Sequence, residues 1–159
     1  DLANKGYAGA MLVPGDAGLR EMYEKMGFHT CSHEERLFCD AEVGEIAICE
    51  VDGARYAALR QRLLPPFGVI QERESIAFLQ TQAKFFAGEG FVLAARRQGE
   101  LLLGIELLGD VSAAPRIVHA LGCKRGELRT VGESRPLAMY RPLDGGTVPR
   151  LYFGLPFDL

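Results

Sequence analysis

The sequence predicts an α/β (α+β) chain, a mixed sheet flanked by helices, and three observations carry that reading. Tyr7 to Val13 is an unbroken apolar run, as in a strand covered on both faces, and it leads through Pro14-Gly15-Asp16 into a short amphipathic helix. Phe91 to Arg97 and Leu101 to Leu108 are strand-like runs joined by Gln98-Gly99-Glu100, a hairpin signal. Around that hairpin lie stretches whose apolar residues recur at helical spacing.

Each element follows in chain order. Asp1 to Lys5 resembles the tail of a helix. Asp16 is placed to cap a helix by accepting a backbone N–H. Leu19, Met22, Tyr23 and Met26 then share one helical face, Gly27 sits where a left-handed cap is wanted, and Phe28 starts a new strand. Asp40 to Glu45 is acidic and carries glycine, a link between domains. Ile46 to Val51 is a strand, and Asp52 caps a helix to about Leu64 that Pro65-Pro66 stops. A further helix is expected from Glu74 to Ala87, with Ile76, Leu79, Ala83 and Phe86 on one side. After the hairpin, Ser112 is expected to cap a helix to Leu121 that Gly122 ends. Glu127–Val131, Leu137–Leu143 and Leu151–Leu155 are read as strands, with Asp144-Gly145-Gly146 as a turn.

The run Met22-Tyr23-Glu24-Lys25-Met26-Gly27-Phe28 resembles the LYEKxGF signature that closes the acyl-CoA domain of GNAT superfamily N-acetyltransferases. The resemblance covers Gly6 to about Cys39, as the last third of such a domain. It implies acetyl-CoA as cosubstrate and a small-molecule or peptide amine as acceptor. It gives Tyr23 the role of acid for the departing thiolate, and a phenol suits that role because its pKa near 10 matches that of an alkyl thiol. Packing with a wet hydroxyl is the other role open to Tyr23. Asp16 stands where the family often has an asparagine touching the pantetheine arm, a departure from the pattern. No Q/R-x-x-G-x-G/A pyrophosphate loop precedes Gly6 or follows Ile46. The chain is therefore read as residues 1–40, the end of a GNAT domain, and residues 41–159, a second GNAT-like domain without the cofactor signature. That order is similar to bacterial two-domain GNAT proteins, whose C-terminal end can lie near the active site. By that resemblance Leu159, through its carboxylate, or Asp158 is the candidate general base. As a fragment cut inside its acetyltransferase domain, the chain on its own is not expected to be active.

Composition narrows the alternatives. Of 159 residues, 48% are apolar and 25% charged, so a packed core is expected. The net charge of −3, without a Lys/Arg run, argues against a nucleic-acid partner, and no apolar run approaches a membrane span. The four cysteines form no CxxC pair and are read as reduced thiols of a cytoplasmic protein. His29, Cys31 and His33 share a strand face, but neighbours on that face stand about 7 Å apart, too far to share one metal comfortably. Glu34 and Glu35 are read as a solvated hairpin turn. His119 is read as a helix-face histidine, with Arg116, Lys124 and Arg125 as a small anion patch or a solvated helix end. Arg129, Glu133, Arg135 and Arg141 are read two ways, as the lining of an anionic acceptor pocket or as surface ion pairs. A strand at Tyr7–Val13 without its neighbour exposes an open edge, so a homodimer or an exchanged segment is expected. Two function classes follow: part of an amine N-acetyltransferase, or a non-catalytic ligand-binding or dimerisation module of the same fold.

Overall fold

The computed structural model describes residues 3–71 and 73–154. Capping chemistry sets its first two helices. Asp16 Oδ1 accepts the Leu19 N–H at 2.8 Å and opens α1 (Ala17–Lys25), and Asp52 Oδ1 accepts the Arg55 N–H at 2.8 Å and opens α2 (Gly53–Leu63). α1 closes in a Schellman motif. The Phe28 N–H reaches the Tyr23 carbonyl and the Gly27 N–H the Glu24 carbonyl, each at 3.0 Å, with Gly27 at φ +83°. Tyr23 and Phe28 supply the hydrophobic contact of that motif, ring edge to ring face at 5.6 Å. The spacing Tyr-x-x-x-Gly-Phe is thus a helix terminus written in sequence.

Two helix expectations change. The helix over 74–87 is α3 (Glu74–Gln82) only, and Lys84–Gly88 is a strand, β5. Ala83 turns extended, at φ −148°, and Lys84–Gly88 pairs antiparallel with strands on both sides, so sheet pairing overrides the helical spacing of Phe86. Ser112 does not cap the later helix. Asp110 caps a 3-10 turn instead, accepting the Ser112 N–H at 3.0 Å and its hydroxyl at 2.6 Å, and α4 (Ala114–Ala120) follows.

The strands form two sheets. β1 (Gly9–Leu12), β2 (His29–Thr30) and β9 (Met139–Pro142) make a three-stranded sheet in the order β1-β9-β2, antiparallel throughout. β3 (His33–Asp40), β4 (Ile48–Val51), β5, β6 (Phe91–Gln98), β7 (Leu101–Gly109) and β8 (Arg125–Pro136) make a six-stranded mixed sheet in the order β3-β8-β7-β6-β5-β4. Strands are therefore exchanged. β9, from the end of the chain, lies between β1 and β2, while β3, from the start, pairs with β8 along Leu37↔Leu128 and its neighbours. Residues 41–47 link β3 to β4, within the six-stranded sheet, as coil.

The parallel pair is β7 with β8, and it is short. It runs from Leu101↔Arg125 to Gly104↔Leu128, where the pairing stops. Tyr152 packs on the unpaired part of β7, in one cluster with Ile105 and Leu108, while the Thr130 hydroxyl donates to the Leu107 carbonyl at 2.7 Å. Leu151 bridges to Ser32 and Tyr152 to Gly68, each in parallel. The three-stranded sheet that leads into α1 is antiparallel throughout. α1 buries no residue, and Leu19, Met22 and Met26 are 39%, 42% and 50% exposed, so its apolar stripe is an open face.

A polar cluster sits inside the six-stranded half. Glu106 is fully buried on β7 and takes four donors. Tyr56 Oη at 2.9 Å and Arg60 Nε at 2.7 Å reach Oε2, and Arg60 Nη2 at 3.0 Å and Tyr152 Oη at 3.1 Å reach Oε1. Arg60 also donates to the Val69 carbonyl at 2.8 Å and to the Phe153 carbonyl at 3.4 Å, so it ties α2 to β7 and to residues 151–154. Burial, then the Glu106 charge, pushes both phenols well above their usual value, and burial raises the Cys31 thiol as well. A raised native pKa means that the native state holds its proton more tightly than the unfolded chain does. That stabilisation is complete below the unfolded values, about 8.5 for a thiol and 10 for a phenol, and drains away as pH rises through them. The urea midpoint is expected to hold below about pH 8 and to fall steeply above about pH 10, less so in Tyr152→Phe. A midpoint unchanged through pH 11 contradicts this account.

Candidate functional site

The expected site residues are brought together only in part. Tyr23 lies in the last turn of α1, half-buried, its ring on Phe28 and its hydroxyl without a hydrogen bond among the described residues. Asp16 is exposed and spends Oδ1 on capping α1. Asp158 and Leu159 lie outside the described residues. Gly154, where the described chain stops, lies beside Glu106 and Arg60.

A cleft of about 330 Å³ opens where residues 13–17 face β3 and β8. Asp16, Arg20, Glu34, Arg36, Arg129 and Arg135 line it, and its surface is mainly polar. The local sequence explains its shape. Pro14-Gly15 turns the chain out of β1, Asp16 fixes the start of α1, and one turn on Arg20 reaches across. Arg20 donates to Thr30 Oγ1 and to the Pro136 and Leu137 carbonyls, each at 3.1 Å. It thereby clamps the exchanged strands using neutral acceptors alone.

Glu34 forms the polar floor, which corrects the reading of Glu34 as a solvated turn. It is 4% exposed on β3, beside an irregular step in the pairing between Glu34 and Glu35. Its Oε1 meets Arg36 Nε at 3.3 Å and Arg129 Nε at 4.0 Å, while Oε2 has no hydrogen-bond partner among the described residues. An unsatisfied buried polar group costs about 1–3 kcal/mol, and more when charged. Arg36 is shared with Glu127 at 2.9 Å. The Arg135 guanidinium has no ion-pair or hydrogen-bond partner among the described residues, although Arg135 stands opposite Glu34 in the β3–β8 register.

The group Arg129, Glu133, Arg135 and Arg141 divides. Arg129 and Arg135 line the cleft; Glu133 instead pairs with Arg150 and, at 3.7 Å, with His33, and Arg141 lies beside Gly27. The basic residues near His119 form no such cleft, since Lys124 pairs with Glu100 at 2.6 Å on the open surface. Cys31 is buried and its thiol donates to the Ala138 carbonyl at 3.5 Å, while His29 is exposed. No group of three or more His, Cys, Asp or Glu among the described residues is gathered closely enough to hold a metal ion. No helix among the described residues is long and apolar enough to cross a membrane.

Sequence reasoning missed Arg20, Arg36, Arg60 and Glu106. A signal existed for Glu106, a lone carboxylate inside the apolar run Leu101–Leu108, because a charge buried in a strand needs a partner. Tyr56 and Arg60, four residues apart on α2, are the matching pair. No signal in the sequence marks Arg20.

Comparison with known proteins comes from structure alone. No family model matches the chain, and no curated protein matches it. Its structure resembles a GCN5-related N-acetyltransferase from Kribbella flavida at 14% identity, covering 89% of this chain and 45% of that one, with a TM-score of 0.59. It also resembles a conserved protein from Enterococcus faecalis V583 described as a probable N-acyltransferase (14% identity, 91% and 47% covered, TM-score 0.64). A further resemblance is to Eis1 from Mycobacterium abscessus (15% identity, 91% and 49% covered, TM-score 0.58). The chain spans about half the length of these structures. At these TM-scores and identities, the fold of this chain is that of the GCN5-related N-acetyltransferases.

Proposed function

We propose that the chain is the C-terminal portion of a cytoplasmic N-acetyltransferase that moves an acetyl group from acetyl-CoA to a small-molecule or peptide amine. The observation that carries this reading is the Tyr23–Phe28 helix terminus on a GNAT fold, with the Tyr23 hydroxyl unspent. The residues present suit the pantetheine part of the cosubstrate only. β1 has β9 on one edge, and its other edge carries unpaired N–H and C=O groups among the described residues, which suit the amides of a pantetheine arm. Asp16 adds an acceptor at the end of that strand. Residues 1–40 complete the acyl-CoA domain in this reading, and residues 41–159 wall the acceptor side.

Acetyl-CoA supplies the acyl group activated for attack by the amine nitrogen. Tyr23 holds the proton given to the leaving sulfur, and the neutral amine loses one proton to a base. Calorimetric titration of the full-length protein with acetyl-CoA tests the assignment, and no heat and no thermal shift at saturating ligand overturns it. Tyr23→Phe keeps the ring contact with Phe28 and removes only the hydroxyl, so turnover is expected to fall by about tenfold or more with the fold intact. Unchanged turnover removes Tyr23 from the mechanism.

The exposed stripe Leu19, Met22 and Met26 favours a second reading, a non-catalytic module that forms a homodimer through α1 and the free edge of β1. Light scattering on the full-length protein separates the two, since a monomer that binds acetyl-CoA removes this second reading.

A further inference from the structure

The geometry points to the cleft between residues 13–17, β3 and β8 as a binding site for a small amine that also carries a carboxylate or phosphate group. Its charges are uncompensated in a particular way. Arg20 gives its hydrogen bonds to a hydroxyl and to two carbonyls, none of which carries charge. Arg135 has no acceptor among the described residues, and Arg129 has one carboxylate contact, at 4.0 Å, to an oxygen that Arg36 already holds at 3.3 Å. Arg36 is spent on Glu34 and Glu127. Three guanidinium groups thus face one cleft with little local negative charge to meet them, and Asp16, the other carboxylate there, is engaged at the start of α1. Planar, forked donors of this kind suit a carboxylate or a phosphate.

The floor asks for the opposite chemistry. Glu34 is nine-tenths buried, lines the same cleft, and has Oε2 without a donor. A protonated amine supplies that donor while its anionic group meets Arg129 and Arg135. A bare anion leaves Glu34 unsatisfied, and a bare amine leaves the arginines so. As a site for the acceptor, this deepens the N-acetyltransferase reading and rests on it for the fate of the amine, which releases its extra proton to solvent before its lone pair attacks. The binding itself requires no turnover.

Calorimetry on the full-length protein tests it with four probes: phosphoethanolamine, β-alanine, ethanolamine and inorganic phosphate. One of the two zwitterions is expected to bind about tenfold tighter than ethanolamine and than phosphate, and which one does so separates phosphate from carboxylate as the anionic group. Arg135→Ala, at an exposed position that the fold does not use, is expected to weaken that binding by about tenfold, and more so at low salt. Glu34→Gln is expected to weaken the zwitterion and to leave inorganic phosphate unchanged. Zwitterions that bind no tighter than the single-group probes, or binding indifferent to Arg135→Ala, overturn the inference. Titration of the same samples with acetyl-CoA keeps the two readings apart. Acetyl-CoA binding without zwitterion binding overturns this inference alone, whereas Arg135-dependent zwitterion binding without acetyl-CoA binding overturns the transferase and supports the cleft.

Discussion

Arg60→Ala is expected to lower folding stability by about 3–5 kcal/mol, because it strands the buried carboxylate of Glu106 without its cationic partner. The effect is large because Glu106 is fully enclosed and Arg60 supplies two of its four donors. It is also not local. The same guanidinium bonds the Val69 carbonyl and, at 3.4 Å, the Phe153 carbonyl, so the substitution loosens residues 151–154 as well as α2. Since whole domains are held by about 5–15 kcal/mol, the variant is expected to stand near unfolding at 37 °C. Replacing both partners, as Arg60→Met with Glu106→Leu, is expected to cost less than the single change, since no unpaired charge remains. Urea denaturation of the three proteins decides it. A single variant within about 1 kcal/mol of the parent would refute the pairing as a main support of the core.

The second large effect belongs to strand exchange. Met139 is fully buried on β9, where it stands opposite Leu12 of β1 on one side and Thr30 of β2 on the other. Met139→Ala is expected to cost about 2–5 kcal/mol, the range for emptying a methionine site in a packed interior. Its spatial pattern carries more information than its size. β1 and β2 have no pairing with each other and are joined only through β9, so amide protection is expected to fall together at Gly9–Leu12 and His29–Thr30. The β6–β7 hairpin lies in the other sheet and is expected to keep its slow exchange. Hydrogen exchange read residue by residue checks this, and undiminished protection in β1 counts against β9 as the strand that holds it.

Between them the two variants probe what the chain does not state locally. α1 was legible because everything that makes it lies within a dozen residues: the Asp16 cap, the Tyr23–Phe28 contact and the left-handed Gly27. The β6–β7 hairpin was legible for the same reason, its turn at Gly99 being local chemistry at φ +61°. β5 was not legible. Lys84-Phe85-Phe86-Ala87-Gly88 carries a helical spacing as readily as a strand, and the choice falls to β4 and β6, which pair with it on both sides. The cleft was half legible. Arg129 and Arg135 stand six residues apart on β8, but the burial of Glu34 and the reach of Arg20 depend on β3 and β8 meeting across about a hundred residues of chain.

The sequence by itself determined the start of α1 and α2, the end of α1, the hairpin, the α/β class and the resemblance of the Met22–Phe28 run, because caps, turns and spacing act within a few residues of one another. Only the tertiary structure decided that the two ends of the chain trade strands, that Tyr152 joins the cluster of Ile105 and Leu108, and that four arginines and one buried carboxylate face a single cleft. The physical reason is that sheet pairing and the burial of charge are settled between residues far apart in sequence, where strand propensity gives only a weak local preference and burial beside distant partners makes the choice.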